Sequence, residues 1–150
     1  MTNYHHSVFL DDTALKAFMN PDDPSYIKAR NLFLELDDLD RQLVTTNYVI
    51  FDTHQWLRDH YGYTSADYFL NTIEKSVSKD KLAVISGNPE FERKARQLLI
   101  ERPDCGFSLN EALTAVVLIT YQIKRIFTFN PGFSLIPHLD GEIKPIPGIL

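Results

Sequence analysis

The stretch Ser7-Val8-Phe9-Leu10-Asp11-Asp12-Thr13-Ala14-Leu15 decides how the rest of the chain is read. Val8, Phe9 and Leu10 form a short uninterrupted apolar run, the pattern of a strand covered on both faces, and the run stops at two carboxylates. In open parallel α/β sheets the ligand crevice lies just outside the carboxyl ends of the strands, which makes Asp11 the first candidate for a functional side chain.

Working outward from it, Thr13 to Met19 can open a helix that Asn20-Pro21-Asp22-Asp23-Pro24 breaks. A second helix starts near Pro24 or Ser25, with Ile27, Ala29, Leu32, Phe33, Leu36 and Leu39 as its expected inner face. Leu43-Val44-Thr45-Thr46 reads as a second strand. The helix after it, from about Asn47 to His60, carries Asp52 among Tyr48, Val49, Phe51, Gln55 and Trp56. An acid with such neighbours works in a site, points to solvent or pairs with a nearby base. Gly62 closes this helix, and Ala66 to Val77 follows with Tyr68, Phe69, Ile73 and Val77 as its expected buried stripe.

Leu82-Ala83-Val84-Ile85 is a third strand. Asn88-Pro89-Glu90 opens a helix with Phe91, Ala95, Leu98 and Leu99 turned inward, and Pro103 ends it. Ser108 is a cap for a strongly apolar helix, Ala112 to Ile123. Glu111 stands three residues after that cap, the spacing of a capping box, so capping alone would account for it. Ile126-Phe127-Thr128-Phe129 is a fourth strand that ends at Asn130-Pro131-Gly132, and Ile143, Ile146 and Ile149 between prolines suggest an edge strand or an extended segment. This alternation predicts an α/β fold, with a central, mostly parallel sheet of four to five strands flanked by helices.

Length and charge narrow the function classes. At 150 residues and 44% apolar content, residues 1–150 are expected to form a single domain with a real core. The lone Cys105 excludes an internal disulfide framework and suits a reducing compartment, so the chain is expected to be cytoplasmic. Met1 to His6 has no signal-peptide character, and no apolar run is long enough for a membrane span. A net charge of -5 argues against whole-molecule attraction to nucleic acid, leaving Lys79 with Lys81, Arg93 with Lys94 and Arg96, and Lys124 with Arg125 as local footholds. The six glycines form no phosphate-binding cradle, and the histidines His5, His6, His54, His60 and His138 have no zinc-site spacing with the cysteine. A receiver-like reading of Asp11-Asp12 fails because the Leu82 strand ends in Ser86-Gly87 without an acceptor Asp. A dehalogenase-like reading fails because Asp11-Asp12-Thr13 lacks the second Asp two residues on.

Four blocks in order, Val8 to Leu15, Leu43 to Asp52, Asp104-Cys105-Gly106-Phe107-Ser108-Leu109-Asn110-Glu111-Ala112, and Ile126 to Phe133, resemble a PIN domain, and the resemblance spans nearly the whole chain. Such domains, which include the VapC-type toxins of bacterial toxin and antitoxin pairs, are metal-dependent ribonucleases with a Rossmann-like three-layer fold. The resemblance implies that this chain is an endoribonuclease hydrolysing RNA phosphodiester bonds with Mg²⁺ or Mn²⁺. Its alternative is a degenerate PIN domain that only binds RNA or protein. Carried over by position, Asp11 matches the first catalytic Asp in full. Asp52 stands where the family usually has Glu, Glu111 where it usually has Asp, and Asn130 where Asp is common and Asn also occurs. These four are the implied catalytic and metal-binding set, with Asp104, Thr13 and Ser108 supporting them from behind. Asp12 occupies a position more often held by a small hydroxyl residue.

The two acid swaps shorten one reach and lengthen the other by about 1.5 Å each. With Asn130 neutral, one well-held ion is the expectation, a second arriving only with substrate. The toxin-type resemblance further implies an RNA substrate, a cognate antitoxin and a homodimer. Tyr26, Tyr61, Tyr63 and Tyr68 could supply a protein-binding surface, although ordinary packing explains them equally well.

Overall fold

A computed structural model describes residues 4–147. Residues 1–3 and 148–150 lie outside the description, and with them the start of the Met1–His6 segment and Ile149.

The apolar run behaves as its pattern requires. Strand β1 (Val8–Leu10) is buried at every position and is the middle member of a five-stranded, all-parallel sheet. Its neighbours are β2 (Leu43–Thr46) and β4 (Arg125–Phe127), with β3 (Leu82–Ile85) and β5 (Lys144–Ile146) at the edges, giving the order β3-β2-β1-β4-β5. The tail is thus the edge strand, and Pro145 sits where a missing backbone donor is tolerated. The fourth strand is shorter than expected. It ends at Phe127, which frees Thr128 and Phe129 to turn toward Asp11.

Among the described residues seven α-helices flank the sheet in a three-layer arrangement. Helix α1 (Asp12–Met19) packs on α2 (Tyr26–Asp38) and on α3 (Asn47–Tyr61), while α3 also packs on α4 (Tyr63–Ser78) and α5 (Pro89–Glu101) packs on α6 (Leu109–Thr120). A short α7 (Ile136–Leu139) precedes β5. Side-chain caps open four of the helices: Asp11 accepts from the Ala14 amide, Thr46 from Val49, Asn88 from Phe91 and Ser108 from Glu111. Helix α6 starts three residues before Ala112 and stops before Ile123, because the Ser108 capping box sets its first turn.

Two expected buried stripes are narrower than their spacing suggested. On α2, Ala29 and Leu36 are buried and Leu32 and Phe33 partly so, whereas Ile27 and Leu39 are exposed. On α4, Phe69 is buried and Ile73 half-buried, while Tyr68 and Val77 face solvent. Both helices lie at the outside of the packing and cover the sheet with part of a face only. The tyrosines divide accordingly: Tyr61, Tyr63 and Tyr68 are exposed, and Tyr26 is half-buried.

Phe9 is 0% exposed at the centre of β1, in register with Val44 and Ile126. Phe9→Ala is expected to cost about 3–5 kcal/mol, read as a lower urea midpoint at unchanged slope.

Candidate active site

Because all strands run one way, their carboxyl ends meet along one edge of the sheet, and a cleft of about 440 Å³ opens there. Its lining includes Asp11 after β1, Thr46 at the end of β2, Asp52 on α3, Ser108 and Glu111 at the start of α6, and Asn130 beyond β4. The four side chains of the implied catalytic set therefore share one cleft, although they come from separate parts of the chain.

Asp11 is the most constrained of them. Only 2% exposed, it accepts from the Ala14 amide at 2.9 Å and the Thr13 hydroxyl at 2.7 Å on Oδ1, and from the Thr128 hydroxyl on Oδ2. Burial pushes its pKa up from 3.8 to about 6, against the lowering pull of the Thr128, Thr13 and Ala14 hydrogen bonds, with Asp12 adding a small upward push. The hydroxyls are themselves held: Thr13 Oγ1 accepts from the Phe129 amide at 2.9 Å, and Thr128 Oγ1 from the Asn130 amide at 2.9 Å. Beneath them Thr45 donates to the Leu10 carbonyl at 2.8 Å. Thr13 and Thr128 thus both hydrogen-bond Asp11, and Thr128 is not among the expected site residues. Its only sequence signal was a hydroxyl placed directly after an apolar run.

Glu111 forms the capping box and reaches Asn130 as well. Its Oε1 accepts from the Ser108 amide at 2.8 Å while its own amide donates to Ser108 Oγ at 3.1 Å, which is the capping box. Its Oε2 accepts from Asn130 Nδ2 at 2.7 Å. Asn130 in turn accepts from the Gly132 amide at 2.8 Å, so the turn after β4 is tied to the start of α6. A Cβ on Gly132 would overlap Glu111 Oε2. Glycine leaves the carboxylate its room.

Asp52 resolves as the partner of a base. Its Oδ2 faces Lys16 Nζ at 3.3 Å, and the same ammonium reaches Asp12 Oδ2 at 2.8 Å and lies 5.5 Å from the centre of the Trp56 ring. Burial alone would lower the Lys16 pKa, but the hydrogen bond and charge of Asp12, with Asp52 behind them, raise it above its ordinary value. The available signal for this lysine was its spacing four residues after Asp12 on one helix.

Asp104 is not brought to the cleft. It is exposed and forms a two-pronged pair with Arg102, with both contacts at 3.0 Å, which lowers its pKa. The local hydrogen bonding wins over any supporting role. Several basic footholds are likewise engaged: Lys81 with Asp37 and Asp40, Arg93 and Lys94 with Glu90, and Lys124 with Asp140 and Glu142.

The donor set is hard oxygen, the type that Mg²⁺ and Mn²⁺ prefer. Its arrangement is another matter. Among the described residues no three His, Cys, Asp or Glu side chains stand together so as to hold one ion. Both Asp11 oxygens face protein donors, Asp52 faces Lys16, and Glu111 faces Asn130 and the Ser108 amide. As arranged, the acids do not fit an ion shared by three carboxylates.

The chain is similar in structure to VapC20 of Mycobacterium tuberculosis, a toxin described as cleaving the sarcin-ricin loop. The TM-score is 0.71 at 19% sequence identity, over 85% of this chain and 93% of that one. Its fold is a PIN-domain fold. No protein-family model matches the chain, and no curated protein matches it either. The PIN likeness at this level of identity is one of architecture: a parallel sheet with its cleft at the strand ends. No helix among the described residues is long and apolar enough to cross a membrane.

The raised pKa of Asp11 sets a pH dependence. The folded chain holds this proton more tightly than the unfolded one, so the contribution to stability is full below pH 3.8 and is lost as pH rises through about 6. The shift corresponds to about 3 kcal/mol at most. In metal-free buffer Asp11→Asn is expected to be more stable than the wild type at pH 8, with the advantage shrinking toward pH 4, as read from paired urea titrations. Equal stability at both pH values would remove the desolvation argument.

Proposed function

We propose that this chain is an endoribonuclease of the VapC-type PIN kind, hydrolysing RNA phosphodiester bonds with Mg²⁺ or Mn²⁺ as its cofactor. The observation that carries the reading is the convergence of Asp11, Asp52, Glu111 and Asn130 on one cleft at the strand ends of a PIN-domain fold. Asp11 is the most constrained member of the set, buried and fixed by three donors. Asn130 orients Glu111 through its amide, and Ser108 fixes the start of α6 on which Glu111 rides. For nuclease work Glu111 must exchange its protein partners for substrate-side ones. The toxin-type reading brings with it a cytoplasmic setting, a cognate antitoxin, a homodimer and one PIN domain over residues 1–150.

A second reading, a degenerate PIN domain that binds RNA or protein without cutting, is favoured by one observation: every acid of the set already has a protein donor.

Incubation of a mixed RNA pool with the purified protein and Mn²⁺ or Mg²⁺ separates the two. Cutting that is abolished by EDTA and falls by about a hundredfold or more in Asp11→Asn supports the nuclease. Intact RNA with folded protein, together with retention of RNA in a filter-binding assay, supports the binding module. Since Asp11→Asn is expected to gain stability, lost cutting in that variant cannot be laid to unfolding.

A further inference from the structure

Lys16 lies outside the set of residues that the resemblance marks, yet its ammonium contacts two acids that line the cleft, Asp12 and Asp52. Its side chain is 19% exposed and is anchored from three directions: Asp12 at 2.8 Å on its own helix, and Asp52 at 3.3 Å and the Trp56 ring at 5.5 Å on α3. A free lysine would swing away from an arriving ion. This one is held, because leaving Asp52 means leaving the Trp56 face and the Asp12 partner as well.

A divalent ion bound to Asp52 would sit about 2.1 Å from a carboxylate oxygen, a position that brings it into close repulsion with an ammonium 3.3 Å from Oδ2. The absence of any group of three acids fit to share an ion among the described residues agrees with that exclusion. We propose that Lys16 is a resident cation that withholds Asp52 from metal, so that Asp52 serves as the partner of Lys16 and any divalent ion in the cleft is held without it. Lys16 is then a positioning residue that sets the ion affinity of the cleft. The inference rests on the cleft being the working site proposed above. Its readout is ion binding, so RNA left uncut would count against the nuclease and not against Lys16.

The test is Mn²⁺ binding by the full chain, measured from the free-ion electron paramagnetic resonance signal without RNA. Lys16→Met keeps an unbranched side chain of similar length beside Trp56 and removes the charge, and it is expected to bind Mn²⁺ about tenfold tighter than the wild type. Lys16→Arg restores the charge and is expected to return the affinity to the wild-type value. Asp52→Asn in the wild-type background leaves affinity nearly unchanged, while adding it to Lys16→Met removes the gain. Circular dichroism and urea midpoints establish that each variant is folded, and Lys16→Gln replaces Lys16→Met if the latter is not. Equal or weaker binding by the charge-free variant, including no binding by either protein, overturns the proposal. So does a gain that survives Asp52→Asn, or a loss of wild-type binding on Asp52→Asn alone.

Discussion

A carboxylate shut away from water needs donors, and the donors that Asp11 recruits are what draw the strand ends together. One of its oxygens takes the first turn of α1 through Ala14 and Thr13, and the other takes Thr128 from the far side of β4. Thr13 and Thr128 then pass the constraint on to the amides of Phe129 and Asn130, and so to the turn that presents Asn130 to Glu111. Loss of water would leave a lone carboxylate costly here, and the upward direction of its pKa shows that the donors offset only part of that cost. The cleft is therefore built around a residue that is itself nearly inaccessible.

Much of this architecture was open to inspection in the sequence because burial on both faces leaves a plain mark. Val8 to Leu10, Leu43 to Thr46 and Leu82 to Ile85 are short apolar or β-branched runs between helical patterns, and each is a parallel strand. Asp11 could be named because it follows the first apolar run, and Asp52, Glu111 and Asn130 because the PIN-domain resemblance carries them over by position; one cleft does receive them all. What escaped depends on partners that spacing does not reveal. Thr128 lies inside the expected Ile126-Phe127-Thr128-Phe129 strand, Lys16 carries no mark beyond its spacing from Asp12, and Asp104 is drawn off by Arg102, two residues away. The outer helices were over-read for the same reason, since three-and-four spacing marks an apolar face without saying how much of it meets a neighbour.

The acid swaps at 52 and 111 also take on a physical meaning. The longer Glu111 reaches back to cap α6 and forward to Asn130 at once, a span that one side chain covers here with both oxygens. The shorter Asp52 stops at Lys16. Each substitution is matched to a partner on the protein itself, so the exchange of lengths is not a simple trade across a shared centre.

The parallel sheet also gives the molecule an electrical direction. At the ends where strands begin, Lys81 pairs with Asp37 and Asp40 and Lys124 with Asp140 and Glu142, so each of those acids has a cation beside it. At the other end Asp11, Asp12, Asp52 and Glu111 gather around Lys16 as the cation that meets two of them. A chain of phosphates heading for the cleft is thus opposed from about a Debye length away, roughly 10 Å at 0.1 M salt. Added salt shortens that reach and eases the approach, which runs against the usual weakening of phosphate contacts by salt.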